Sequence, residues 1–186
     1  MRFARPVFVT AVRSLFRIRV VGEPPPNRSI LVGMHRSYWD SLLLFSCDPR
    51  IKPLTRTKWT QTGPLAWFLR AGLCPTTDPA GIRLAAKYVK RGGILFLPPR
   101  GYSGISLKEL HDSPLRMAGW YGATLVPVIV GGLEGVPHIG DAFRWPLRRR
   151  TVTISFGTGV HLSRQLSKPE RAALWESVLD DAGIPR

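Results

Sequence analysis

The chain has 186 residues, about one domain's length, and its 44% apolar content is enough to build a buried core. Its 27 Lys and Arg against 12 Asp and Glu give a formal net charge of +15, so it attracts anions such as nucleic acid, anionic lipid or phosphorylated ligands. Two cysteines, Cys47 and Cys74, exclude a disulfide framework and a cysteine metal cluster, and favour buried thiols in a reducing compartment.

The first seventeen residues predict an amphipathic helix over 6–17, because Pro6 suits a first helical position. Valine, phenylalanine and leucine fill most of its circumference. The remaining polar stripe consists of Thr10, Arg13, Ser14 and Arg17. This pattern is typical of a helix in a membrane interface, although a helix that caps the domain core fits equally well. No apolar run is long enough to span a bilayer, and arginines interrupt any signal peptide.

Beyond this helix, short apolar strands alternate with helical segments. The predicted strands are 17–21, 29–33, 94–97, 124–130 and 151–156, and the predicted helices are 37–45, 60–71, 80–91, 113–121 and 169–182. No internal boundary divides the chain. The order predicts a single α/β domain, residues 1–186, with a mixed, mostly parallel sheet flanked by helices.

The residues that suggest chemistry lie between the strand 29–33 and the helix 37–45. His35 follows the strand directly, and Asp40 lies five residues later inside the helix. Five residues on one helix turn through about 500°, so the pair can meet only if His35 lies in the preceding turn and folds back. The carboxylate would then fix the tautomer of the imidazole and raise its basicity, as a general base requires.

A second interpretation of the same segment is structural. Ser37 followed three residues later by Asp40 has the pattern of a capping box, in which each residue satisfies a backbone N–H of the first helical turn. His35 would then be a half-buried histidine with no chemical role. These residues alone leave both interpretations open.

The segment resembles the HX4D signature of the glycerophospholipid acyltransferase superfamily, and further blocks follow in the family's order over about residues 16–160. Lys58, followed by the glycine-flanked apolar stretch 63–72, is similar to the second block. The strand 94–97 running into the loop 98–104 is similar to the third block, and Val126-Pro127-Val128 to the fourth. A basic run and an alternating strand at 148–157 complete the likeness.

The resemblance implies transfer of a fatty acyl group from acyl-CoA or acyl carrier protein to a hydroxyl of a lysophospholipid or other lipid acceptor. His35 would be the general base and Asp40 its partner, with no metal or bound cofactor. The candidate contacts to phosphate groups are Lys58, Arg56, Arg100, Gly101 and Ser103. The expected location is the cytoplasmic face of an anionic membrane, bound peripherally through residues 1–17.

Two departures from the family pattern leave the acceptor open. The family usually has Asn before the histidine, where this chain has Met34, and the third block lacks the family's Glu and Arg. A catalytically altered lipid- or acyl-chain-binding module on the same fold is therefore the alternative. A nucleic-acid-binding protein would suit the charge and the six tryptophans, but the basic residues are spread along the whole chain, so nucleic acid is not an expected partner.

Overall fold

A computed structural model describes residues 4–34, 37–61, 66, 69–70, 74–98, 113–134, 149–162 and 166–183. These residues form a mixed seven-stranded sheet with helices on both faces, so the predicted α/β class is confirmed. The described α-helices are α1 (Ala4–Leu15), α2 (Tyr38–Cys47), α3 (Pro79–Lys90), α4 (Ser113–Tyr121) and α5 (Lys168–Asp181). The strands are β1 (Phe16–Val21), β2 (Ser29–Val32), β3 (Ile51–Pro53), β4 (Ile94–Phe96), β5 (Thr124–Gly131), β6 (Arg150–Phe156) and β7 (Val160–His161).

The predicted elements differ from these in a few places. The first helix ends at Leu15 rather than at residue 17, because Phe16 and Arg17 already pair with β6. Strands β3 and β7 were not predicted, since three and two residues are too few to show periodicity. The predicted helix 60–71 is described only in part. Thr60 belongs to a 3-10 helix (Thr57–Thr60), residue 61 lies in a turn, and residues 66 and 69–70 are helical. The other residues of this range lie outside the described residues.

The strand order is β1-β6-β5-β2-β4-β3, with β7 pairing β5. Strand β2 lies between β4 and β5 and is parallel to both, and β3 is parallel to β4. Strands β6 and β7 run antiparallel to β5. The parallel strands β2, β3, β4 and β5 therefore end at one edge of the sheet, here called the carboxyl edge, and begin at the opposite amino edge.

The sheet separates two apolar clusters. Leu31 and Phe96 point into the cluster beneath α1 and α2, whereas Ile30 and Leu95 point into the cluster beneath α3, α4 and α5. All four residues of β2 are buried, as expected for a central parallel strand covered on both faces. The continuous apolar run 29–33 is thus explained by burial on both sides.

Helix α1 caps one face of this core. Val12 is 1% exposed, and Leu15 packs against the same cluster, while Arg13 and Ser14 are exposed. The core-capping interpretation therefore holds for residues 9–15, and the side chains of residues 4–8 lie outside the described residues. None of the described helices has the length and apolar character needed to cross a bilayer.

Candidate active site

The first and third family-like blocks leave the sheet from neighbouring strands. The backbone N–H of Leu97 donates to the carbonyl of Leu31 at 2.9 Å, so the chain beyond β4 continues beside β2 toward the carboxyl edge. On the other side of β2, Gly33 lies very close to β5. A Cβ at Gly33 would collide with the backbone carbonyl of Val128 in β5. His35 comes after β2 in the sequence and lies outside the described residues.

Asp40 lies in the first turn of α2 and is 1% exposed. Its Oδ2 accepts a hydrogen bond from the backbone N–H of Ser37 at 2.8 Å, and the Ser37 Oγ accepts from the Trp39 N–H at 3.3 Å. The predicted capping box is therefore present. It does not exclude a role beside a histidine, because an ionised carboxylate offers about four lone-pair sites.

The first turn of α2 is anchored by aromatic packing. The Trp39 ring lies edge-on to Phe16, with 4.9 Å between the ring centroids and 60° between the planes. Leu42, Leu43 and Leu44 continue the apolar surface of the helix into the core. Asp40 is held in place by its neighbours on the same helix, and its carboxylate is thereby shielded from water.

The second family-like block follows β3 at the same edge of the sheet. Arg56 is exposed and precedes the 3-10 helix, which contains the backbone of Lys58, whereas the Lys58 side chain lies outside the described residues. Strand β4 separates β3 from β2, which corresponds to about 10 Å across two strand spacings. Arg56 and Asp40 thus belong to the same edge, two strands apart.

Asp78 fixes this second block and was not among the predicted residues. Its Oδ2 accepts hydrogen bonds from the hydroxyls of Thr76 at 2.6 Å and Thr57 at 3.0 Å, and its Oδ1 accepts from the N–H groups of Ala80 and Gly81. These bonds, the Thr76 hydroxyl foremost, lower the pKa of Asp78 to about 2. The available signal was an Asp directly before Pro79, the usual start of a helix.

The two thiols are poor nucleophile candidates. Cys74 is buried and Cys47 is partly buried, and desolvation raises the pKa of each to about 11. Both are therefore protonated near neutral pH, whereas a nucleophilic cysteine has to be a thiolate.

A lysine near Cys74 is also perturbed. Burial lowers the pKa of Lys52, whose Nζ lies 4.5 Å from the centroid of the Tyr88 ring.

The remaining predicted site residues are His35 and those of the third family-like block. Arg100, Gly101 and Ser103 lie outside the described residues, as does His35. Within the part of the chain that is described, no group of three or more His, Cys, Asp or Glu has an arrangement that could hold a metal ion.

The fold is shared with an acyltransferase of known structure. The chain is similar to the crystal structure of the 1-acyl-sn-glycerophosphate (LPA) acyltransferase PlsC from Thermotoga maritima, with a TM-score of 0.68 and 20% sequence identity. The likeness covers 98% of this chain and 81% of that one. No family model matches the chain. The comparison thus establishes the fold, and the function has to be argued from the residues of this chain.

Proposed function

We propose that this chain is an acyltransferase that moves a fatty acyl group from acyl-CoA or acyl carrier protein to a hydroxyl of a lysophospholipid or another lipid acceptor. The observation that carries the proposal is the buried carboxylate of Asp40, in the first turn of the helix that follows position 35. Burying a charged carboxylate is costly unless its oxygens are well satisfied, and helix capping alone does not require burial. The shared fold with an acyltransferase supports the same conclusion.

In the proposed mechanism, one ring N–H of His35 donates to Asp40, and the other ring nitrogen removes the proton of the acceptor hydroxyl. The acceptor oxygen attacks the thioester carbonyl and forms a tetrahedral oxyanion. Collapse of that intermediate breaks the carbon–sulfur bond, and the departing thiolate takes the proton from the imidazolium. Asp40 orients His35 and stabilises the positive charge that develops on it.

Five residues that follow β3 or β4 in the sequence are the proposed phosphate contacts. Arg56 and Lys58 follow β3, and Arg100 follows β4 in the third block, together with Gly101 and Ser103. A guanidinium forks onto two phosphate oxygens, which suits the phosphates of coenzyme A or a phospholipid. Because the third block lacks the family's Glu and Arg, we propose that the acceptor is not limited to a simple glycerol phosphate.

The proposed membrane-facing surface is formed by α1 and β1. Arg13, Arg17 and Arg19 are exposed there, and Arg149 joins them by donating from Nη2 to the Arg13 carbonyl at 3.1 Å. Val20 and Val21 are 47% and 43% exposed beside these cations. A basic surface gains about 1 kcal/mol per well-placed cation at an anionic leaflet, so the four arginines would together contribute about 4 kcal/mol to peripheral binding. We place this surface on the cytoplasmic leaflet, which is the anionic one.

The direct test is an assay of the purified protein with acyl-CoA and lysophosphatidic acid, following both free thiol release and the acylated lipid. Replacing His35 by Ala should lower turnover by about 10²- to 10⁴-fold, the usual contribution of a general base. Asp181→Asn, an exposed change on α5, is the matched control and should turn over as the wild type does. Equal turnover by wild type and His35→Ala would remove His35 from the chemistry.

The second candidate function is a catalytically altered lipid- or acyl-chain-binding module. The sequence Pro98-Pro99-Arg100-Gly101 favours it, since it lacks the acid of the family's third block. The same assay separates the two candidates. A binder would retain labelled acyl-CoA or lysolipid without releasing thiol, whereas an enzyme would release thiol and lipid product in equal amounts.

A further inference from the structure

An open cleft of about 550 Å³ lies at the amino edge of the sheet, at the opposite ends of the parallel strands from the candidate active site. Three basic side chains line it, those of Arg28, Lys90 and Arg91, together with His161. None of the described residues that line the cleft is acidic. Its volume falls within the range of small-molecule sites, and every lining residue except two glycines carries a polar or cationic group. An anion is therefore the ligand that its chemistry favours.

Arg28 has an unusual backbone conformation. Its φ is +60°, the left-handed region that glycine and asparagine adopt more readily than a long side chain does. The conformation is held on both sides, because the Arg28 N–H donates to the Gly92 carbonyl at 3.2 Å and its carbonyl accepts from the Thr124 N–H at 2.9 Å. An arginine is thus kept where the backbone alone would favour glycine, and strain of this kind concentrates at functional sites.

Arg28 contributes to the termination of α3, whereas the charged groups of Lys90 and Arg91 are not needed for it. Basic residues at a helix end often serve to satisfy its last carbonyls. Here the N–H groups of Arg91, Gly92 and Gly93 already donate to carbonyls of the last turn. The Arg28 Nη2 donates to the carbonyl of Lys90 at 3.2 Å. The guanidinium of Arg91 and the ammonium of Lys90, which lies 5.9 Å from the centroid of the Tyr121 ring, are therefore not required to satisfy the carbonyls of the last turn.

We propose that this cleft is a second anion site, which binds a phosphate-bearing ligand between Arg28, Lys90 and Arg91. The two arginine guanidinium groups would fork onto phosphate oxygens, with Lys90 as a point charge and His161 at the rim. Arg28 and Met34 are six residues apart along β2 and its extension, which at about 3.3 Å per residue is roughly 20 Å. The site is therefore separate from the carboxyl edge and does not depend on the acyltransferase proposal.

The phosphate group could be carried by a soluble ester or by a lipid headgroup, and two measurements distinguish these sources. In the first, pyrophosphate is titrated into ¹⁵N-labelled protein at constant ionic strength, and the amide signals of Gly92 and Gly122, which line the cleft, are followed. In the second, the protein is sedimented with phosphatidylcholine vesicles with and without phosphatidic acid. A soluble ligand predicts a response to pyrophosphate only, and a headgroup predicts that vesicle binding also needs the cleft residues.

Arg28→Gly is the most informative variant, because it removes the cation and relieves the backbone conformation at once. We expect pyrophosphate affinity at the cleft to fall roughly tenfold, the loss of one charge-assisted contact. Thermal stability should change little, because relief of the left-handed backbone conformation offsets the lost hydrogen bond to the Lys90 carbonyl. Lys90→Gln with Arg91→Gln should lower the affinity further. Arg83→Gln, an exposed cation on α3 outside the cleft, is the matched control and should bind as the wild type does.

Two results would overturn the proposal. One is that pyrophosphate leaves the Gly92 and Gly122 signals unmoved in the wild type. The other is that Arg83→Gln weakens binding as much as the cleft variants do, which would mean that the anion responds to net charge alone. Asp40→Asn should bind pyrophosphate at the cleft normally, so failure of this site and failure of the acyltransferase proposal can be told apart.

Discussion

Two helices of this protein begin with the same local chemistry in opposite surroundings. At the start of α2, Ser37 and Asp40 form a capping box and are 2% and 1% exposed. At the start of α5, Ser167 and Glu170 are exposed, and the Glu170 Oε2 accepts from the Ser167 N–H at 2.7 Å and from its hydroxyl at 2.5 Å. A capping box therefore forms in this fold without burial.

The comparison shows that burial of Asp40 is a separate feature that capping does not explain. The exposed box satisfies the same backbone N–H and keeps its carboxylate in water, where ionisation costs nothing extra. Asp40 keeps the capping bond but is buried, in a helix start whose Trp39 packs against Phe16. A protein that only needed the cap could have left the acid at the surface. A buried carboxylate is what the proposed role of Asp40, orientation of the His35 imidazole, would require.

The largest expected effect comes from Asp40→Asn, which preserves shape and removes the charge. If Asp40 orients and stabilises His35, acyl transfer should fall by about 10²- to 10⁴-fold. Stability should also fall, by about 1–3 kcal/mol, because the amide satisfies the buried hydrogen bonds less well. Turnover is measured by thiol release and stability by urea unfolding of the same preparation.

The same measurements on the double variant His35→Ala with Asp40→Asn make this prediction sharper. Residues that act as a pair lose activity together, so the double variant should be little worse than either single variant. Multiplied losses would indicate that the two residues act independently. Asp40 would then be a structural acid, and the contrast with Glu170 would carry no chemical meaning.

The next largest effect is a loss of stability from a change at the end of β2, the strand that precedes the buried capping box of α2. Gly33→Ala should destabilise the protein by about 1–3 kcal/mol, because the added Cβ meets the Val128 carbonyl and forces β2 and β5 apart. Urea unfolding measures the loss. Gly119→Ala on α4 is the control, since a Cβ there meets nothing within 4 Å, and it should be neutral or slightly stabilising. An equal loss in both variants would contradict the close approach at Gly33.

The sequence was sufficient to predict the features of the fold that depend on residues close together in the chain. The buried strand β2, the start of α2 at Ser37 and the end of α3 before Gly92 depend on patterns a few residues long, and all were predicted correctly. Strand β3 was missed, because three residues that include Pro53 show no periodicity and are held in place by β4. Local patterns therefore predicted the two elements that hold the described part of the candidate site, strand β2 and the start of α2 with Asp40.

Contacts between distant segments could not be predicted. Asp78 reaches Thr57, which is 21 residues away, and the pattern around Asp78 predicts only a helix cap. The amino-edge cleft was missed for the same reason. Arg28, Lys90 and His161 come together only because the amino-terminal ends of parallel strands meet one end of β7. Arg56 was predicted from the sequence as a candidate phosphate contact. The strand order was needed to show that it follows β3 at the carboxyl edge.

A third acid at a helix start, Asp78, tests the comparison through pH. Its folded-state pKa of about 2 lies below the ordinary 3.8, so its ionised form stabilises the fold at neutral pH and this contribution is lost as pH falls from about 4 to about 2. Asp78→Asn should therefore lower Tm at neutral pH, with the difference from wild type shrinking over that acid range. Thermal unfolding followed by circular dichroism measures both. A difference that stays constant down to pH 2 would show that the lost shape, not the lost charge, is responsible.

The smallest effect is expected from Glu170→Gln, the exposed counterpart of Asp40→Asn. Hydrogen bonds from Ser167 lower the pKa of Glu170 below its ordinary 4.5, so its stabilising effect is present above that pH and is lost in acid. An exposed cap contributes little, and Tm at neutral pH should fall by about 2 °C or less. Turnover should equal that of the wild type. If Glu170→Gln reduced acyl transfer as strongly as Asp40→Asn does, loss of a helix cap would explain both variants, and Asp40 would need no histidine partner.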